Sequence, residues 1–187
     1  MRWIPFVILA YLVLLAQTTL GQLLAFTVRS VGTVVPDMAA VLAVFVALYV
    51  RTSLDAMIAG WILGFFVDLL AGGPGGTVSA VGPMAIAYSL AGGLVFSLRD
   101  AFFRERASAR LILTLIFCIL AHVMWVTMQS ILAMSIMTWG DYSRLLLQAC
   151  LLGVYTSVIA PLLCVLFDRT RGLLISTPSG RSRRYYR

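Results

Sequence analysis

The chain has 187 residues, of which 61% are hydrophobic and only 11% charged, with a mean hydropathy of +1.01. So few charges cannot clothe a water-soluble domain of this size, so lipid is the solvent for most of the surface, and the length leaves no room for a separate soluble catalytic domain. The formal charge is +7 and every one of the 14 basic residues is arginine; because these arginines flank apolar segments instead of sharing a soluble face, nucleic-acid binding is not expected.

Six apolar segments follow one another, at roughly 3–28, 37–50, 54–71, 77–98, 110–138 and 143–167. They predict an all-α polytopic membrane protein, a six-helix transmembrane domain over residues 1–171 with a basic, disordered tail at 172–187. The first segment outruns the apolar core of a cleaved signal peptide, about 7–15 residues, and reads as an uncleaved transmembrane helix. Its Gln17 and Gln22 are candidates for hydrogen bonds to other helices. The second segment opens at Pro36-Asp37, where Asp37 suits a helix cap. Its 14 residues reach only about 21 Å, against a hydrocarbon core of about 30 Å. This segment must be shielded by neighbours, lie where the bilayer thins, or span incompletely.

On the third segment Gly60, Gly64 and Asp68 recur every four residues and share one face. Small residues at that spacing let helix backbones approach closely, within the chain or against a partner. The stretch Gly72-Gly73-Pro74-Gly75-Gly76 lacks the Gly-Lys-Ser/Thr ending of a phosphate loop and reads as a tight outer turn. In the fifth segment His122 lies two turns from Gln129. An ionisable residue inside a membrane is a functional candidate by default; the plainer reading is a neutral histidine bonded to a neighbouring helix. Met124, Met128, Met134 and Met137 read as adaptable packing. Cys118, Cys150 and Cys164 lie far apart inside apolar runs, which suits small buried apolar residues and no metal or disulfide framework.

Orientation follows from the arginines. With the N-terminus inside, alternation places twelve of them at cytoplasmic positions and leaves only Arg29 and Arg144 in outer loops. That imbalance predicts a multi-pass protein of the bacterial inner membrane with both termini cytoplasmic. If the second and third segments form a re-entrant pair, two crossings vanish together and both termini stay inside. Trp3, Trp139, Tyr142, Tyr185 and Tyr186 lie near segment boundaries, where amphipathic aromatics settle. The tail from Ser176 to Arg187 carries four arginines and is expected on the anionic inner leaflet.

Asp37 and Asp68 are equally far from the turn at Thr52-Ser53, so an antiparallel hairpin brings them to one depth near the outer face. Paired carboxylates can share a proton and activate water. Intramembrane aspartyl peptidases, however, carry signatures such as Gly-x-Gly-Asp, and Thr138-Trp139-Gly140-Asp141 lacks the first glycine. The expectation is therefore no catalytic site, no cofactor and no metal, with the aspartates capping backbone or meeting a partner.

The string Pro36-Asp37, a short apolar run, Arg51, then Gly60-x3-Gly64-x3-Asp68-Leu69-Leu70-Ala71-Gly72-Gly73-Pro74-x-Gly76 resembles the rod shape-determining protein MreD family. The likeness covers residues 36–76; beyond it only size, segment plan and basic tail agree, and the doubled glycines and arginine-rich tail are departures. It marks Pro36, Asp37, Gly60, Gly64, Asp68, Gly72, Pro74 and Gly76 as the partner-binding or structural motif. It implies a bundle like the substrate-binding S-components of energy-coupling-factor transporters. The implied function is a non-enzymatic scaffold of the cell-elongation complex that supports lateral peptidoglycan synthesis. The implied partners are MreC, the actin-like MreB, RodA and its penicillin-binding transpeptidase. The competing reading on the same fold is a vitamin-binding S-component. Many of those bear Ala-x-x-x-Ala on the first helix, a spacing that Ala10 and Ala16 miss.

Reporter fusions at the C-terminus and after Arg106 are expected to report cytoplasm. A periplasmic signal at either position would overturn the six-crossing arrangement.

Overall fold

The computed structural model describes residues 1–29, 32–71, 81–101, 107–132 and 139–174. The expectations that fall on Gly72, Pro74, Gly76, Arg104, Arg106, Met134, Met137 and the tail beyond residue 174 lie outside the described residues. Among those described, the chain is helical apart from one hairpin. In order it forms α1 (Trp3–Leu23), β1 (Phe26–Val28), β2 (Gly32–Val34), α2 (Met38–Tyr49), α3 (Ser53–Ala71), α4 (Pro83–Leu98), α5 (Ala107–Leu132), α6 (Trp139–Asp168) and α7 (Arg171–Leu174). Four helices, α1, α3, α5 and α6, are long and apolar enough to cross a membrane; α2 and α4 are shorter, at 12 and 16 residues. This is an all-α membrane protein.

The first helix ends at Leu23 instead of Val28. Residues 26–28 and 32–34 pair as two antiparallel strands, Phe26 with Val34 and Val28 with Gly32. The β-branched residues Thr27, Val28, Thr33 and Val34 favour the pleated conformation over helix, and Gly32 takes a φ of 104° open to glycine at little cost. The hairpin is fastened to α6. Gln148 Nε2 donates to the Thr33 carbonyl at 3.0 Å and the Tyr155 hydroxyl to the Leu24 carbonyl at 3.0 Å, while the Phe26 and Tyr155 rings meet edge to face. Helix α6 also starts earlier than the hydropathy suggests, at Trp139.

The two ends of the bundle are distinct. At one, called proximal here, the Met1 amine lies 3.8 Å from Asp55 in the first turn of α3, and the Arg2 N–H donates to the Leu174 carbonyl at 3.0 Å. The ends of α2, α4 and α6 and the start of α5 gather there as well, linked by Arg99 and Arg110. The hairpin and the starts of α2, α4 and α6 occupy the distal end.

Helix α2 is the centre of the molecule. Every residue from Met38 to Leu48 is buried, and α1, α3, α4, α5 and α6 all pack against it. A helix apolar on all sides belongs inside protein, so the short second segment is shielded by neighbours.

The glycines of α3 set its distance from α4. A Cβ on Gly60 would stand 2.5 Å from the Tyr88 carbonyl oxygen, and one on Gly64 would strike the Met84 carbonyl. From the other side, a Cβ on Gly92 would come within 3.0 Å of the Ala56 carbonyl. The small-residue face is thus used within the chain. Gly60→Leu and Gly64→Leu are each expected to cost about 1–3 kcal/mol or more by forcing two backbones apart, read as a lowered Tm and a lost monodisperse fraction in detergent. Gly172→Ala, which meets nothing within 4 Å, is the control; equal behaviour of all three would show that the helices slide apart at no cost.

Candidate functional site

A helix start leaves four backbone N–H groups without intrahelical acceptors, and within a membrane protein the chain itself must supply them. At the start of α2 it does so for three of them. Asp37, 4% exposed, takes the N-cap position, and its Oδ1 accepts from the Ala40 N–H at 3.0 Å. Gln17 of α1 accepts from the Ala39 N–H through Oε1 at 3.0 Å, and Thr156 of α6 accepts from the Asp37 N–H through Oγ1 at 3.0 Å. Pro36, also buried, has no N–H to satisfy and biases the preceding residue towards extended backbone.

The second carboxylate oxygen of Asp37 faces outward from its own helix. The Tyr88 hydroxyl of α4 donates to Oδ2, and the ring of Tyr88 is fully buried against Phe117. His122 of α5 approaches the same oxygen, with Nε2 at 3.7 Å, too long for a hydrogen bond. Its Nδ1 lies 2.9 Å from the Cys118 carbonyl one turn earlier. A carbonyl can only accept, so Nδ1 carries the hydrogen of this bond. The histidine therefore hydrogen-bonds to its own helix while its other nitrogen approaches Asp37 of the neighbouring α2. Five helices, α1, α2, α4, α5 and α6, contribute to this junction.

Asp68 performs the equivalent task for α4. It is 5% exposed, and its Oδ2 accepts from the Gly82 N–H at 2.8 Å and the Met84 N–H at 2.9 Å. Met84 precedes Tyr88 by one helical turn, about 6 Å. The two aspartates therefore engage α4 at neighbouring levels near the distal end. Each is committed to its own donors, which is the geometry of capping and not of two acids sharing a proton.

At the proximal end two buried arginines close the opposite ends of the same helices. Arg99 donates to the Ala47 and Val50 carbonyls of α2 at 3.2 and 2.5 Å, with its guanidinium over the Phe96 ring at 3.7 Å. Arg110 reaches the Asp168 carboxylate and the Tyr49 hydroxyl, both at 2.9 Å. Planar, permanently charged guanidinium suits such sites, where one group must serve several acceptors.

Sequence reasoning singled out Pro36, Asp37, Gly60, Gly64 and Asp68, and four of them, Asp37, Gly60, Gly64 and Asp68, converge on α4. It missed Tyr88 and Thr156, although a polar side chain inside an apolar run is itself a sign of an interhelical bond. Cys118 and Cys164 are buried as expected, whereas Cys150 is exposed on α6. Gln17 does bond to another helix, while Gln22 is exposed. Among the described residues there is no group of three or more His, Cys, Asp or Glu side chains placed to hold a metal ion.

No family model, curated protein or solved structure matches the chain.

Tyr88→Phe removes a donor from a buried carboxylate and is expected to cost about 1–3 kcal/mol. Asp68→Asn, which keeps an acceptor oxygen, should lose less than Asp68→Ala. Thermal unfolding in detergent measures both, and an unchanged Tm for Tyr88→Phe would show that Asp37 has another donor in solution.

Proposed function

We propose that the chain is a scaffold of the bacterial cell-elongation machinery, without enzymatic activity, similar to the MreD family. The observation that carries this reading is the unity of the motif. The residues that bear the resemblance are not scattered matches: Asp37, Gly60, Gly64 and Asp68 form one packed unit around α4. Building the bundle thus accounts for these four residues of the pattern.

In this reading the protein crosses the inner membrane six times, as an S-component-like bundle in which the short α2 and α4 count as crossings and the proximal end faces the cytoplasm. The twelve-to-two division of arginines supports that orientation. Its partners are an MreC-like protein and, through it, MreB, RodA and the penicillin-binding transpeptidase. Because both aspartates are satisfied inside the chain, they hold up the surface that partners meet instead of forming it.

Co-expression with an MreC-like protein from the same source, followed by purification through a tag on this chain, is expected to recover both proteins. Asp37→Asn should lower partner recovery only in step with the loss of folded chain. Recovery of folded chain alone from membranes that contain the MreC-like protein would defeat the proposal. Partner loss from fully folded Asp37→Asn would instead make the aspartate a contact residue.

A further inference from the structure

Helix α1 turns Phe6, Ala10, Val13 and Leu14 inward, and its principal neighbours are α2 and α7. One flank of it stays open beside the corner where α6 gives way to α7. A cleft of about 310 Å³ lies there, walled by Pro5, Ile8, Leu9 and Leu12 of α1 and by Thr170 and Leu174. From Pro5 to Leu12 it follows α1 for about 10 Å. The one polar side chain in the wall is already spent, because the Thr170 hydroxyl donates to the Phe167 carbonyl at 2.8 Å. An apolar cleft on a helix long and apolar enough to cross a membrane suits hydrocarbon and not a polar solute.

The proximal end of the cleft is charged. The Arg2 N–H donates to the Leu174 carbonyl at 3.0 Å, and Arg169 immediately precedes Thr170. Both arginines therefore spring from residues at the edge of the cleft, and both are exposed. Trp3, next to Arg2, is 36% exposed, as suits an amphipathic aromatic at a membrane–water boundary. The carboxylates of this end have cations of their own: Asp55 lies 3.8 Å from the Met1 amine, Asp100 lies 3.6 Å from Arg99, and Asp168 lies 2.9 Å from Arg110. Among the described residues neither Arg2 nor Arg169 has an ion-pair partner. Long arginine stems lie along apolar surface while their heads stay in the polar layer. Two such cations beside a hydrocarbon cleft complement a ligand with an anionic head and an apolar tail.

We propose that this cleft is a binding site for one anionic phospholipid. An acyl chain lies along Ile8 and Leu12, and the phosphate-bearing headgroup meets Arg2 and Arg169. The inference rests on the protein's place in a membrane and not on the scaffolding role. It is also distinct from a diffuse attraction of the arginine-rich tail to the bilayer surface.

The test is native mass spectrometry of the intact protein titrated in detergent with phosphatidylglycerol or with phosphatidylcholine of identical chains. One phosphatidylglycerol is expected to bind saturably, roughly tenfold or more tighter than phosphatidylcholine, and glycerol 3-phosphate is expected not to bind at the same concentrations. Arg2→Gln and Arg169→Gln should each weaken phosphatidylglycerol about fivefold and leave phosphatidylcholine unchanged. Leu12→Trp fills the cleft from a position 55% exposed and should weaken both lipids. Arg183→Gln combined with Arg184→Gln, in the tail, should alter neither. Monodisperse elution reports folding of each variant, and the arginine variants decide the matter should Leu12→Trp aggregate. Equal retention of the two lipids, binding of glycerol 3-phosphate as tight as that of phosphatidylglycerol, or loss of phosphatidylglycerol in the tail variant alone would each overturn the proposal. So would undiminished phosphatidylglycerol binding when Arg2 and Arg169 are both changed to Gln.

Discussion

The fold depends on completing the ends of a helix that cannot reach water. Helix α2 has 12 residues, about 18 Å at the ordinary rise, and lies wholly inside the protein. An unpaired backbone group there costs several kcal/mol, so both ends call on other helices. The distal end uses its own Asp37 with Gln17, and the proximal end uses Arg99 from α4. Tyr88 and Thr156 complete the Asp37 end from two further helices.

Helix α4 carries the consequences outward. Its start is capped by Asp68 from α3, its middle donates Tyr88 to Asp37, and its end sends Arg99 back to α2. Between these fixed points the glycines of α3 allow contact at backbone distance. Dispersion and hydrogen bonding are the available sources of helix association where lipid is as apolar as leucine. Here close packing and one polar tie join α4 to α3, and two further ties join it to α2, so a change in one strains the others.

Much of this was legible from residue types. Asp37 after Pro36 marked a helix start because proline suppresses helix before it and aspartate caps after it. Gly60 and Gly64 marked a close approach because only their spacing aligns them on one face. The strand pair at 26–28 and 32–34 was hidden, since an apolar run of Phe, Val and Thr at a helix end has the same hydropathy whether it is helix or strand. The partners of Asp37 were hidden for another reason. Tyr88 and Thr156 lie 51 and 119 residues away, and no local pattern states which of several apolar helices will stand opposite. His122 meets both its own helix, at the Cys118 carbonyl, and a neighbour, at Asp37, and which nitrogen serves which depends on rotamer and not on position.

The separation between Asp37 and Thr156 also orders events during synthesis. At about 5–20 residues per second, the last partner of the α2 cap leaves the ribosome on the order of ten seconds after Asp37 itself. Helices α3 and α4 are adjacent in sequence and can join at once, but the junction stays open on one side until α5 and α6 arrive. A half-made chain therefore presents a polar notch to lipid or to the insertion machinery. Truncation anywhere before α6 leaves the Asp37 N–H without Thr156, its acceptor in the finished bundle.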